Sequence, residues 1–228
     1  MQGPLSGKSA LITGAVGGIG LMATRALAQT GCDVHLVGQN FSKLYEATTS
    51  IRNTYAVEAN QHSGNPANPV DAEAIGMACA DAEIFISCTG NLPHGNLEDI
   101  EDERWRKSWE AAVFAPLNMV REMIGHMNDE ERGLIVLLID TPTEPQADDI
   151  CASASGAVLK TLVSALSQEL VKGVRIVGLL TERNVDANAL SEAITRLAIE
   201  PEQVATGSLI TAADVLKSDD EETENKTS

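Results

Sequence analysis

At 228 residues, 43% hydrophobic and only 3% aromatic, the chain is long enough to bury one ordinary core of aliphatic side chains, which excludes a disordered polypeptide. Its formal net charge of -17 sets it against phosphate backbones and anionic lipid, so neither nucleic-acid nor membrane partners are expected. The charge reads as a solvated acidic surface or as adaptation to a salty host. Cys32, Cys79, Cys88 and Cys151 lack CxxC spacing, the amino terminus is too polar for a signal peptide, and no apolar run approaches the ~18 residues of a membrane span. A soluble cytoplasmic protein with reduced, buried thiols is the expectation.

In chain order, apolar runs predict strands at 10–13, 34–38, 55–59, 84–87, 134–139, 175–180 and 209–212, with helical periodicity between them. Such alternation predicts an α/β fold, a doubly wound parallel sheet of Rossmann type in three α/β/α layers and a single domain. Residues 1–216 form that domain, and 217–228, with two lysines against five acids, form an acidic tail predicted to be disordered. The first helix starts at Ile19 and stops at Gly31, and Asn40 caps a second helix from Phe41 to about Arg52. Residues 61–69, with two prolines, read as a loop. A long helix opens at Asp102 and carries Trp105, Trp109, Val113, Leu117, Val120 and Met123 at helical spacing, as core or interface residues. Another runs over about 150–171, beginning in small residues, and a last one is expected near Glu192.

Gly14, Gly18 and Gly20 follow the first strand and open a helix, where they let the turn close and free amides approach a pyrophosphate. Alternatively they serve the fold alone, Gly14 by a positive φ and Gly18 or Gly20 by close helix packing. The segment TGAVGGIG over 13–20 matches the TGxxxGxG pattern of the short-chain dehydrogenase/reductase family. The resemblance continues in IFISCTG over 84–90, similar to the family's fourth strand and NNAG turn, in the helix over 105–119, in ASASGAVL over 152–159, similar to YxASKxxL, and in TGSLI over 206–210.

The resemblance implies a Rossmann fold, NAD or NADP as cofactor, and Gly14, Gly18, Ile19, Gly20, Gln39 and Gly90 as cofactor-binding positions. Gln39 stands with Gly38 where relatives place an acid for NAD or an arginine for NADP, so binding is expected to be weak or lost. It also implies four catalytic positions: an asparagine falling at Ala112, a serine at Ile139 or Asp140, a tyrosine at Ala152 and a lysine at Gly156. Neither Ala152 nor Gly156 can move a proton, while Asp140 and Asp149 read as solvated loop carboxylates or as bases. No alternative register supplies the tyrosine, because the only two, Tyr45 and Tyr55, precede the fourth strand. Lys160 lies one turn beyond Gly156, and Thr181-Glu182 replaces the family's PG turn ahead of a shortened substrate lid.

Three functions follow from the resemblance. The first is a non-catalytic structural or regulatory subunit of a heteromeric dehydrogenase, one for a hydroxyacyl-CoA among the options. It would pair with an intact paralogue, or with itself, through a four-helix bundle of helices about 102–127 and 150–171. The second is an active NAD(P)-dependent oxidoreductase with a rearranged site using Asp149, Ser153 or Lys160; the third is a nucleotide-sensing regulator. Cys88 and Cys151 flank the same region, as inert thiols or a reactive one. His35, His62, His94 and His126 fall on separate segments without ligand spacing, so no metal site is expected.

Overall fold

A computed structural model describes residues 3–88, 92–181 and 186–217. Seven strands form one parallel sheet in the order β3-β2-β1-β4-β5-β6-β7: β1 (Ser9–Thr13), β2 (Asp33–Gly38), β3 (Ala59–Ser63), β4 (Ile84–Ser87), β5 (Gly133–Asp140), β6 (Val174–Thr181) and β7 (Leu209–Thr211). Helices on both faces make the fold Rossmann-type. The inner strands are buried on both faces, which is why they read as unbroken apolar runs instead of alternating ones.

Successive strand residues serve opposite cores. Ile12, Leu36 and Val136 pack on one side with Leu27 of α1 (Gly18–Gln29), Leu44 and Ile51 of α2 (Phe41–Thr54), and Ile194 of α7 (Ala187–Ile199). Leu11, Val37 and Ile135 pack on the other with Ile75 of α3 (Pro69–Ala78), Met119 and Met123 of α5 (Ala115–Asp129), and Leu159 and Val163 of α6 (Ile150–Leu166). Among the described residues no helix is long and apolar enough to cross a membrane.

Asn40 caps α2 as expected, accepting from the Lys43 amide at 3.0 Å, and Gly31 ends α1 at φ +88°. Four boundaries differ from the sequence reading. The third strand lies at Ala59–Ser63, not 55–59: α2 continues to Thr54, and Tyr55 and Val57 pack against its core from the connection. The polar sequence ANQHS forms a strand because it is an edge, hydrogen-bonded only to β2. The stretch 61–69 therefore holds the end of β3, and Asn68 and Pro69 open α3, Asn68 accepting from Val70 N at 2.9 Å. At the far end, α6 stops at Leu166, and α7 begins at Ala187 behind an Asp186 cap, ahead of Glu192.

The long helix is broken as well. An α4 segment (Asp102–Trp109) passes into a π-helical turn, Glu110–Phe114, before α5. Pro116 gives the reason, since it has no N–H for the Ala112 carbonyl and its ring crowds that oxygen. The Ala115 amide pairs with Glu110 O, five residues back. Val113, Val120 and Met123 are buried as expected, whereas Trp105 and Trp109 stay half-exposed, with ring centroids 6.4 Å apart.

Candidate active site and cofactor turn

The sheet order reverses direction between β1 and β4, and in such sheets the crevice at the carboxyl ends of the strands is where ligands bind. The glycine turn lies there. Gly14 leaves β1 at φ +66°, and a β-carbon on it would meet the Cys88 carbonyl at 2.8 Å. A tight turn follows, closed by Gly17 N to Gly14 O at 3.0 Å. On Gly20 a β-carbon would stand 2.2 Å from Gly14 O, so this glycine is required by helix-to-turn packing. Gly18 is different: nothing lies within 4 Å of where its β-carbon would be. No side chain caps α1 at Gly17, so the first-turn amides of Gly18, Ile19 and Gly20 face the crevice end of the helix without a side-chain acceptor.

At the end of β2, exposed Gln39 donates from Nε2 to Asn65 Oδ1 at 3.3 Å. Asn65 is itself held by Asp71, whose Oδ2 accepts from its amide at 2.8 Å. Gln39 is thus tethered beside the crevice as an uncharged donor and acceptor. Gly90 lies outside the described residues.

On the other side of the crevice, β5 ends at Asp140, half-buried opposite Thr181, and Thr141 follows it. Ala152 and Gly156 lie on the buried face of α6, and Ala112 is buried in the π turn. A β-carbon on Gly156 would come within 2.6 Å of Thr141 Cβ and 2.7 Å of its Oγ1, so Thr141 occupies the space a side chain there would enter. The buried asparagine of the long helix is Asn118, whose amide donates to the carbonyls of Pro66 and Ala67, each at 3.1 Å. It ties the loop after β3 to α5. Lys160 is half-buried one turn beyond Gly156, and Ser153 Oγ accepts from Gln146 N at 3.2 Å.

One constellation was not visible in the sequence. His94, on the connection after β4, has Nδ1 3.6 Å from Asp149 Oδ1 and Nε2 3.8 Å from Asp148 Oδ2. The Gly95 amide donates to Asp148 O at 2.8 Å and fixes the approach of the two segments. Asp149 is buried while His94 is exposed, which sets an imidazole between two carboxylates on the connection after β4. Sequence spacing carries no signal for it, because the two segments meet only through the pairing of β4 with β5. Burial pushes Cys88 up to about 12, and burial also raises Cys151 against the opposing hydrogen bond from Ser108.

The histidines do not all stand apart, contrary to the sequence reading. His35 and His62 meet across β2 and β3, with Nδ1 and Nε2 3.0 Å apart.

The short chain dehydrogenase model matches residues 8–186, and the chain belongs to that family. Among curated proteins it is similar to 2,3-dihydro-2,3-dihydroxybenzoate dehydrogenase of Bacillus subtilis, 27% identical over 227 residues, covering 91% of this chain and 80% of that one. A 3-oxoacyl-acyl-carrier-protein reductase of Rickettsia prowazekii is 26% identical over 177 residues, covering 75% and 70%. Among solved structures, NAD+-bound xylitol dehydrogenase superposes with a TM-score of 0.84 at 15% identity, covering 91% and 98%. The L-sorbose reductase of Gluconobacter frateurii, in complex with NADPH and L-sorbose, superposes at 0.79 with 20% identity, covering 92% and 97%. At these identities the structural likeness establishes the fold.

Proposed function

We propose that this chain is an NAD(P)-dependent oxidoreductase of the short-chain dehydrogenase family with a rearranged acid–base site. The observation that carries the reading is Gly18, a glycine that neither backbone strain nor packing requires, beside amides that no side chain caps. That combination suits a pyrophosphate, whose charge the amides and helix dipole stabilise. Gly14 and Gly20 shape the turn, Ile19 supplies an amide, and Gln39 reaches a ribose hydroxyl. With no cation at Gln39 to neutralise a 2′-phosphate, NAD fits better than NADP.

The dinucleotide, when bound, supplies or accepts the hydride. The family's tyrosine and lysine positions hold Ala152 and Gly156, so the proton must come from another group. His94 meets that need: Asp149 faces its Nδ1 at 3.6 Å, and Nε2, 3.8 Å from Asp148 Oδ2 and so not hydrogen-bonded to it, is the nitrogen that gives a proton to a nascent alkoxide or takes one from an alcohol. Titration with NADH, followed through Trp105 and Trp109 fluorescence, should show saturable binding. Oxidation and reduction assays over a panel of alcohols and ketones should then lose ~100-fold or more in kcat on His94→Ala with KM for the cofactor unchanged. Absence of any nicotinamide binding would sink the proposal.

A second reading is favoured by Thr141, which fills the space at Gly156 and leaves no room for the family's lysine. On it the chain is a non-catalytic subunit that keeps the dinucleotide turn for stability or sensing. It would associate through the π-helical turn, α5 and α6, where Phe114 is 50% exposed and α6 exposes the small residues Ala157 and Ala165. NADH binding without turnover, together with an intact short-chain dehydrogenase recovered on purification from the native host, would decide for this reading. A homo-oligomer that turns over substrate decides for the first.

A further inference from the structure

At the β3 edge of the sheet, three side chains converge. His35 leaves β2 and His62 leaves β3 on the same sheet face as diagonal neighbours, since Val37 pairs with His62 and His35 with Asn60. Cys79 ends α3 and projects into the same face. The ligand atoms of all three lie within 4.8 Å of one another. On its far nitrogen, His35 Nε2 lies 3.3 Å from Asp81 Oδ2, which fixes the ring with Nδ1 turned toward His62 Nε2 at 3.0 Å.

We propose that His35 Nδ1, His62 Nε2 and Cys79 Sγ form a binding site for a borderline-soft divalent cation, Zn2+ by preference, with Asp81 as the carboxylate that orients His35. Tetrahedral zinc with bonds of ~2.0–2.1 Å to nitrogen and ~2.3 Å to sulfur separates two imidazole donors by roughly 3.4 Å. The observed 3.0 Å between the nitrogens is within a few tenths of an ångström of that. A histidine ligand almost always gives its other N–H to a carboxylate, a backbone carbonyl or water, and Asp81 Oδ2, 3.3 Å from His35 Nε2, is placed to accept it. Two imidazoles and one thiolate match the N and S preference of zinc and leave one position for water. The entry path is present too: a cavity of about 390 Å³, lined in part by His35, His62, Asn60 and Tyr45, opens at this edge.

In the metal-free protein burial pushes the Cys79 thiol up to about 12, so it is protonated. Binding replaces that S–H by an S–metal bond and releases the proton to solvent, while the His62 Nε2–H moves to Nδ1. The alternative for these groups is a plain Asp81–His35–His62 hydrogen-bonded chain with no metal, and the experiment separates the two.

The full-length chain, stripped with chelator, is titrated with Co2+ and then Zn2+. One equivalent of cobalt should produce a thiolate-to-cobalt charge-transfer band that zinc abolishes, and zinc should raise the melting temperature. His62→Gln, at the half-exposed edge, should weaken binding at least ~10-fold, and Asp81→Asn by ~10–100-fold, while His126→Gln leaves it unchanged. Cys79→Ser should remove the band, and its melting curve reports whether that buried substitution still folds. No charge-transfer band, or cobalt affinity indifferent to His62→Gln, overturns the site. Neither result touches the dinucleotide reading, since none of these residues lines the crevice.

Discussion

Gly14, Gly18 and Gly20, three of the four glycines between positions 14 and 20, have three different reasons to be there, and what a β-carbon would touch separates them. At Gly20 the obstacle is backbone, Gly14 O at 2.2 Å, so Gly20→Ala must push the helix off the turn. Overpacking of that kind costs about 1–3 kcal/mol or more, which a denaturation midpoint would register. At Gly18 there is no obstacle, and an aspartate on the first turn of a helix gains about 0.3–1 kcal/mol from the dipole. Gly18→Asp should therefore melt no lower than the wild type and yet fail to bind NADH, since its carboxylate occupies the place of the pyrophosphate. Loss of stability in Gly18→Asp, or undiminished NADH binding, would contradict this account of the turn. The positive φ of Gly14 was legible in the motif. The division of labour between Gly18 and Gly20 was not, because it depends on where the Gly14 carbonyl points after the turn closes. Asp149 stood among the candidates of a rearranged site, but its pairing with His94 was hidden for a related reason: His94 looks like an ordinary loop residue until β4 and β5 bring the two segments together.

At the level of elements, the inner strands were legible because burial on both faces leaves a run such as LIVLLI with no other explanation. β3 was not, since ANQHS has neither β-branched residues nor alternation, and its strand form comes from pairing with β2 alone. The interruption of the long helix was written in Pro116, but a proline can kink, stop or widen a helix, and only tertiary packing selects among them. Further along, β7 turns into a short helical segment over 212–217 through a reciprocal cap. Thr211 donates from both its amide, at 2.9 Å, and its hydroxyl, at 2.7 Å, to Asp214 Oδ2, and the Asp214 amide returns a 3.2 Å hydrogen bond to Thr211 Oγ1. The same hydrogen bonds from Thr211 hold the Asp214 carboxyl below its usual range. Because the folded pKa is depressed, this contribution is present above the unfolded pKa, near ~4, and fades as the pH falls through the folded value. Thr211→Ala should cost about 1 kcal/mol at pH 7 and markedly less at pH 2–3, measured as the difference in chemical denaturation against wild type. An equal cost at both values would mean that the cap does not depend on the ionised carboxylate.

For the molecule as a whole, a formal net charge of -17 on 228 residues means that compaction works against self-repulsion. Raising ionic strength from 0.1 M to 1 M shortens the screening length from ~10 Å to ~3 Å, so stability should rise with salt. Each kcal/mol of repulsion relieved should appear as about 2–4 °C in Tm for a chain of this size. A scan of Tm against KCl concentration tests this, and a flat or falling curve would show that the acidic groups are balanced locally and not merely crowded. Composition alone made this property legible, unlike the convergence of His35, His62 and Cys79, which needs two adjacent strands and the end of a helix to be in place.

The π-helical turn at Glu110–Phe114 has a consequence for how the chain may be compared with its relatives. By closing a hydrogen bond over five residues it takes in one residue more than an α-helical turn would, so the two sides of the helix count in different phases. A correspondence that is correct along α4 is one residue out along α5 when set against an unbroken helix, and the reverse holds equally. Set against an unbroken helix, the asparagine that the family resemblance put at Ala112 would fall between Ala111 and Val113, and every member of that span is apolar. Kinship with a relative whose helix is unbroken is thus best measured separately on either side of the π-helical turn.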